Sequence, residues 1–378
     1  MKADYRLLSA SVSLITPLHI GSGRELLNEY DYVIRSGKTW RINENVLLEA
    51  QPVDDPRLVA QISARPPGEL LADADFDPQN AQGLFRYIIN GSPRARGPGA
   101  QLLEQLKDAF NRPYLPGSSL KGAIRSALLW HAWGARKLRA ETGRLDRRRE
   151  WAGQFYERAL MGDTPNTSLM RALHVSDSRP ADVSRLMVIN ARVMNQDGEL
   201  GSPIELEAVA PDTVFDGITL KIDLALFSEW ARRRELQLQG REWLENLAAL
   251  VNQRAQERAR REAAWYRGIR EARMLADFYN QIAGAKLEAG QFLIELGWGT
   301  GWESKTFGSR LLENEAFMER VIVDYRLAKG ERERGDPFPK SRRVVMRFSR
   351  DAQGNVSETP ARPLGWALMR LAGGGAPA

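Results

Sequence analysis

The stretch Tyr114-Leu115-Pro116-Gly117-Ser118-Ser119-Leu120-Lys121-Gly122-Ala123-Ile124-Arg125-Ser126-Ala127-Leu128 constrains the fold more than any other. It reads as a short strand, a tight turn and a helix start. Pro116-Gly117 is turn chemistry. Ser118 or Ser119 is placed to cap the helix by accepting a backbone N–H bond. Leu120, Ala123, Ile124, Ala127 and Leu128 share one helical face, which calls for a core to pack on. Lys121 and Arg125 are four apart and share another face near the helix N-terminus. Gly122 leaves room for a close approach. Free N–H groups, the helix dipole and two cations together suit a phosphate. The same residues also suit an ordinary capped amphipathic helix with solvated charges.

Three glycine- or turn-rich segments follow strand patterns and share this anion-binding character. The first follows an alternating strand at 5–15, where Leu8, Ala10, Val12 and Leu14 point one way and Ser9, Ser11 and Ser13 the other. It comprises His19, Gly21, Ser22, Gly23 and Arg24. Gly21 and Gly23 permit a sharp turn that exposes N–H donors. His19 can stack on a base, or be a plain core histidine. The second is Gly117, Ser118, Ser119, Lys121 and Arg125. The third follows a strand at 291–296 and runs Gly297-Trp298-Gly299-Thr300-Gly301-Trp302-Glu303-Ser304-Lys305-Thr306-Phe307-Gly308. Gly299, Thr300, Gly301, Trp302, Lys305 and Thr306 are its candidate contacts: glycines for close approach, tryptophan for stacking, lysine for phosphate. It is neither a Walker A loop nor a dinucleotide fingerprint, because its glycine spacing fits neither.

Charge alone does not demand a polyanion partner. The chain has 54 Lys+Arg against 48 Asp+Glu, a net +6 over 378 residues, so distribution matters more than total. The densest basic run is 136–149, with seven basic residues against two acidic. Cysteine is absent, which excludes disulfides, thiolate metal sites and cysteine nucleophiles and fits a cytoplasmic protein. No secretory leader or run of about 20 apolar residues is seen, so no membrane partner is expected. No tight His/Asp/Glu cluster suggests a metal, and no cofactor is expected.

The remaining chain divides by composition. Residues 1–50 and 114–227 are expected to form the first part of the core. Residues 51–113 carry eight prolines and read as an irregular insertion with a helix near 100–110. The first helix should run to about 138. Strands are expected at 171–177, 186–195 and 204–224. Residues 228–284 are helical in pattern, interrupted at Gly240. Arg254, Arg258, Arg261 and Arg273 alternate there with glutamates, which predicts a solvated, salt-bridged face. Residues 285–372 should supply C-terminal strands, including 318–327, 342–348 and 363–371, and 373–378 should be a disordered tail. The order of elements resembles an α+β, ferredoxin-like (RRM-like) β-α-β-β-α-β plan with helical and irregular insertions, a plan used to bind single-stranded RNA.

Leu18-His19-Ile20-Gly21-Ser22-Gly23, Leu115-Pro116-Gly117-Ser118-Ser119-Leu120-Lys121-Gly122 and the late glycine-rich loop resemble the RAMP superfamily of CRISPR proteins. The late loop, together with Phe338-Pro339-Lys340-Ser341-Arg342-Arg343 and Pro363-Leu364-Gly365-Trp366, resembles the fifth-subunit family of type III-A (Csm) effector complexes. The resemblance covers nearly the whole chain. It implies a non-catalytic RNA-binding subunit, without metal or cofactor, that caps the backbone filament and binds the 3′ portion of the crRNA. It also implies a role in crRNA maturation for antiviral defence. The implied partners are the other effector subunits, especially the RAMP backbone subunit, with target RNA and trimming host nucleases as further ones.

Departures bear on chemistry. Asp31 has no neighbouring glycine, unlike the aspartate of target-cleaving backbone subunits, so no nuclease role is carried onto it. Only His19, His131 and His174 are available for the alternative function, a metal-independent endoribonuclease that processes precursor crRNA with a histidine as acid or base.

Overall fold

The computed structural model describes residues 4–51, 65–77, 83–328, 332–351, 353 and 355–373. β1 (Tyr5–Leu14) begins the fold. Its alternation is realised: Leu8, Ala10, Val12 and Leu14 are buried, while Ser9 is exposed. β1 is the middle strand of a five-stranded sheet. β10 (Val214–Asp223) and then β7 (Leu173–Val175) lie to one side, with β14 (Trp366–Gly373) and then β11 (Gln291–Glu295) on the other. Every pairing in this sheet is antiparallel. The chain therefore leaves β1, returns through the helix Gly117–Ala135 and enters β7 parallel to β1, with β10 between them.

That central helix buries Leu120, Ile124, Ala127 and Leu128 in one cluster with Val12, Phe215, Leu220 and Phe292 of the sheet. Full burial of each such large apolar side chain contributes about 1.5–3 kcal/mol. The fit at its start is tight. A side chain at Gly117 would place Cβ 2.3 Å from the Val175 carbonyl oxygen. This explains the glycine: β7 passes directly under the helix start.

A second, larger sheet runs β2 (Gly21–Leu27), β6 (Gln101–Gln105), β9 (Leu200–Val209), β8 (Leu186–Asn195), β5 (Phe85–Asn90), β4 (Lys38–Ile42) and β3 (Tyr32–Arg35). β12 (Ser341–Arg350) joins at β8 and carries β13 (Val356–Arg362). Two helices, Leu247–Arg267 and Arg273–Gly284, pack with residues of both sheets. Ala255, Ala259 and Ala263 form a small-residue stripe in one cluster with Tyr266, Tyr279, Leu293, Val344 and Trp366. Alanine at every fourth position lets this helix lie close to its neighbours.

Several expectations change. Residues 101–105 are a strand, not part of a helix, and both β5 and β6 are built into the larger sheet. Paired neighbours there override the local helical pattern. The helix at Gly117 ends at Ala135, with Pro116 as N-cap and no side-chain cap from Ser118 or Ser119. Its first N–H, that of Gly117, donates to Asp177 Oδ1 at 2.7 Å. The expected strand at 204–224 is two strands broken at 210–213. Residues 318–327 lie mostly in the helix Glu315–Asp324, capped by Asn314, which accepts from the Phe317 N–H. Of the expected disordered tail, Gly373 ends β14 and 374–378 lie outside the described residues.

Candidate nucleic-acid interface

Two of the three sequence-predicted segments meet at their backbones. The N–H of Trp298 donates to the His19 carbonyl at 2.7 Å. The late loop is also locked to the last strand: Leu296 donates to Gly365, and Gly365 donates to Pro17. Gly297, Gly299 and Gly301 all adopt positive φ, between 75° and 85°. Their conformation is needed for packing. A Cβ on Gly299 would sit 2.7 Å from Leu364, and one on Gly365 would sit 2.0 Å from the Leu296 carbonyl oxygen.

The central helix reaches the same loop from the residue after Arg125 onward. Ser126 Oγ lies 3.1 Å from the Lys305 carbonyl, and Trp130 Nε1 donates to Ser309 Oγ at 2.9 Å. Arg125, Trp302, Lys305 and Thr306 thereby line one cleft of about 330 Å³.

The arginines of Leu247–Arg267 hold the loop from beneath. Arg254 donates to the carbonyls of Glu303, Ser304 and Thr306 at 2.7, 3.0 and 2.9 Å. Burial pushes its guanidinium down to about 10. Arg258 is 7% exposed. It donates to the Thr300 carbonyl at 2.7 Å and pairs with Glu295, Glu262 and Glu303. Burial opposes its charge, yet the carboxylates of Glu295, Glu262 and Glu303 more than offset this and raise its pKa. The expectation of a solvated face is thus wrong for Arg254 and Arg258. It holds for Arg273, whose side chain is 89% exposed. Alternating charge says nothing about what covers a helix; here the glycine loop covers it.

The individual candidates differ in availability. His19 is buried, donates from Nδ1 to the Glu207 carbonyl at 2.6 Å, and has its pKa lowered chiefly by burial. It does not offer a face to a base. Gly21, Ser22, Gly23 and Arg24 are exposed, but as the irregular start of β2 rather than a free turn. Ser22 bonds Glu104, and Arg24 lies 3.9 Å from Asp31. Ser118 is exposed and Ser119 half-buried. Lys121 is half-buried, has no carboxylate partner among the described residues, and has its pKa lowered by burial. Arg125 pairs with Glu157 at 2.6 Å. Thr300 is buried in bonds to Gly297 and Ser304. Thr306 donates to the Trp302 carbonyl. Trp302 is half-buried edge-on to Phe338, and Lys305 is exposed without a carboxylate partner among the described residues.

Two cation groups escaped the residue-level reading. Arg343 lies over the Trp298 ring at 4.7 Å on the exposed side of β12. Its place in the Arg342-Arg343 pair was the available signal. Arg149, at the end of the basic run, reaches the cleft beside Lys305. Lys137, Arg139, Arg147 and Arg148 are also exposed without carboxylate partners among the described residues, while Arg136 turns in to the Ala159 carbonyl and the Trp243 ring.

Chemistry is less supported by the placement of groups. Asp31 accepts from the Leu27 N–H at 2.8 Å and pairs with Arg41 at 3.3 Å, so it ties a turn together. His131 lies edge-on to Trp243, and His174 sits on β7, both apart from His19. Among the described residues no group of three or more His, Asp or Glu is arranged to hold a metal ion, and no helix is long and apolar enough to cross a membrane.

The sequence profile of the RAMP superfamily matches residues 11–237. The chain belongs to the RAMP superfamily. This RAMP protein is 27% identical over 271 residues to "CRISPR system Cms protein Csm5" of Streptococcus thermophilus, spanning 62% of the chain and 70% of that relative. It is 28% identical over 256 residues to the protein of the same name from Mycobacterium tuberculosis (strain ATCC 25618 / H37Rv), where the match covers 61% of the chain and 62% of the relative. Its fold is similar to a chain in the cryo-EM structure of a Csm–crRNA–target RNA ternary complex of a type III-A CRISPR-Cas system. The TM-score is 0.72 at 23% identity, covering 97% of this chain and 100% of that one. It is also similar to the crystal structure of T. onnurineus Csm5, with a TM-score of 0.65 at 21% identity, covering 94% and 99%.

Proposed function

We propose that this RAMP protein is a non-catalytic crRNA-binding subunit of a type III-A effector complex, placed at the crRNA 3′ end. The observation that carries this is the end-to-end fold likeness to a chain of a Csm–crRNA–target RNA complex, alongside the Csm5 relatives. The strand order β14-β1-β10-β7 with the central helix between β1 and β7 supports a ferredoxin-like core. The exposed cations Lys305, in the glycine loop, and Arg343, over Trp298, with the half-buried Lys121 at the helix start, suit a backbone of phosphates rather than base edges. Guide sequences vary, so contacts that ignore base identity are what such a subunit needs. The partners would be crRNA, the RAMP backbone subunit and target RNA.

Filaments of stacked subunits use head-to-tail contacts that propagate until something ends them. The helical region 228–283, with the described parts of 51–113 that lie outside β5 and β6, would cover the next docking face and make this chain the terminator. Omitting it from the assembled complex is expected to leave guides bound but with altered or heterogeneous 3′ ends and fewer backbone copies. Sequencing of guides from such complexes checks this; unaltered 3′ ends would refute the capping role.

Binding itself has a separate test. Lys121→Ala with Lys305→Ala should weaken single-stranded RNA binding about equally for all sequences. The log–log salt slope should flatten by about 1.4, the value for two phosphate contacts on a single strand. Arg125→Ala should change the slope less, because Glu157 already shares that charge. An unaltered slope in the double variant, measured by fluorescence anisotropy, would remove both lysines from the interface.

A further inference from the structure

The 330 Å³ cleft between the central helix and the late loop has an apolar floor and a cationic rim. Leu129, Tyr156, Phe307, Phe317 and Val321 line the floor. The hydroxyls that line the cleft are already spent: Tyr156 donates to the Glu141 carbonyl at 2.8 Å, Tyr325 to the Asp146 carbonyl at 2.5 Å, and Thr306 to the Trp302 carbonyl at 3.0 Å. Arg125, Arg149 and Lys305 stand at the rim. Of these, among the described residues, only Arg125 has a carboxylate partner, Glu157, which is the acidic side chain at the cleft. One wall, Trp302 to Gly308, is the loop assigned above to the RNA backbone.

We propose that this cleft takes one unstacked nucleotide of the bound RNA strand, with its base on the apolar floor and its phosphates on Lys305 and Arg149. This rests on the RNA-binding reading and adds a subsite to it. Three features favour a nucleotide. The volume lies at the lower end of ordinary ligand pockets, which suits one base and sugar. Two exposed cations at the mouth, without a carboxylate partner among the described residues, complement flanking phosphates. The cleft is continuous with the glycine loop. With these hydroxyls engaged, the site grips a base by stacking and shape, and reads little of its hydrogen-bonding edge. A sequence-tolerant base pocket is what a guide-binding subunit can use.

The test uses the full chain and an oligouridylate carrying 4-thiouridine. Irradiation should crosslink the RNA to floor or wall aromatics, among them Tyr156, Trp302 and Phe317, as mapped by mass spectrometry. Leu311→Trp would fill the cleft without altering charge. It should abolish these crosslinks and weaken binding about ten-fold, the scale of one lost base-stacking contact. If that variant does not fold, Arg149→Gln with Lys305→Gln, both exposed side chains, should reduce the same crosslinks. RNA that binds Leu311→Trp with unchanged affinity and crosslinks only outside the cleft overturns the proposal and leaves the cleft to a protein side chain. A wild-type chain that binds no RNA overturns the RNA reading together with the subsite, which separates the two failures.

Discussion

Arg258→Ala is expected to lower the folding stability by about 3–5 kcal/mol, the range for breaking a buried ion pair from one side. Among the described residues Arg258 is the only cation ion-paired with Glu295, and it shares Glu262 with Arg342 and Glu303 with Arg261. Alanine would strand the Glu295 carboxylate in a dry site and free the Thr300 carbonyl. Glu262 would keep Arg342 at 2.8 Å, so the helix side of the network should survive. The glycine loop should therefore loosen more than the fold does. Urea unfolding reads the stability, and amide exchange at Gly299–Lys305 reads the loop. Arg258→Lys should rescue little, since a lysine cannot serve both Glu295 and the Thr300 carbonyl with a planar fork. A loss below about 1 kcal/mol would mean that the network contributes no more than exposed pairs do.

Gly297→Ala is expected to damage the chain where Gly122→Ala does not. Gly297 has φ 75°, and an added Cβ would lie 2.3 Å from the His19 carbonyl oxygen. That oxygen is held by the Trp298 N–H, so it has nowhere to go. The left-handed backbone alone costs about 1–3 kcal/mol for a non-glycine residue, and the collision adds to it. Gly122, by contrast, lies inside the central helix with nothing within 4 Å of an added Cβ. Alanine there should stabilise by about 0.5–1 kcal/mol. The pair separates packing glycines from an approach glycine. If Gly122→Ala is more stable yet binds RNA more weakly, the strand passes over the helix start. If its binding is unchanged, Gly122 is not at the interface. Thermal melts and anisotropy titrations of the two variants decide this.

The local elements that carry their own period were legible. β1, the central helix and the helical character of the region that holds Leu247–Arg267 and Arg273–Gly284 follow from alternation or from 3.6-residue spacing within one segment, whereas the break between those two helices at 268–272 does not. The break at Gly240 is realised as a positive-φ N-cap, φ 86°. Residues 101–105 and 318–327 were misread because short apolar runs suit either state until partners are known. For the site, the half-buried Lys121 and the exposed Lys305 could be named from sequence. Whether Arg125 was free could not, because its partner Glu157 lies 32 residues away.

By itself, the sequence determined that this chain has a glycine-rich loop after the strand at 291–295, an amphipathic central helix and an arginine-rich helical region, and these rest on steric and hydrophobic rules that act within a few residues. Tertiary structure alone decided what those features do. It put His19 inside the core, handed the first helical N–H to Asp177, and turned Arg254 and Arg258 from a supposed solvated face into the clamp beneath the glycine loop. The reason is that burial and desolvation are set by whatever packs on a residue from far along the chain. The same arginine spacing is a solvated stripe against water and an ion-paired scaffold against a loop of exposed carbonyls.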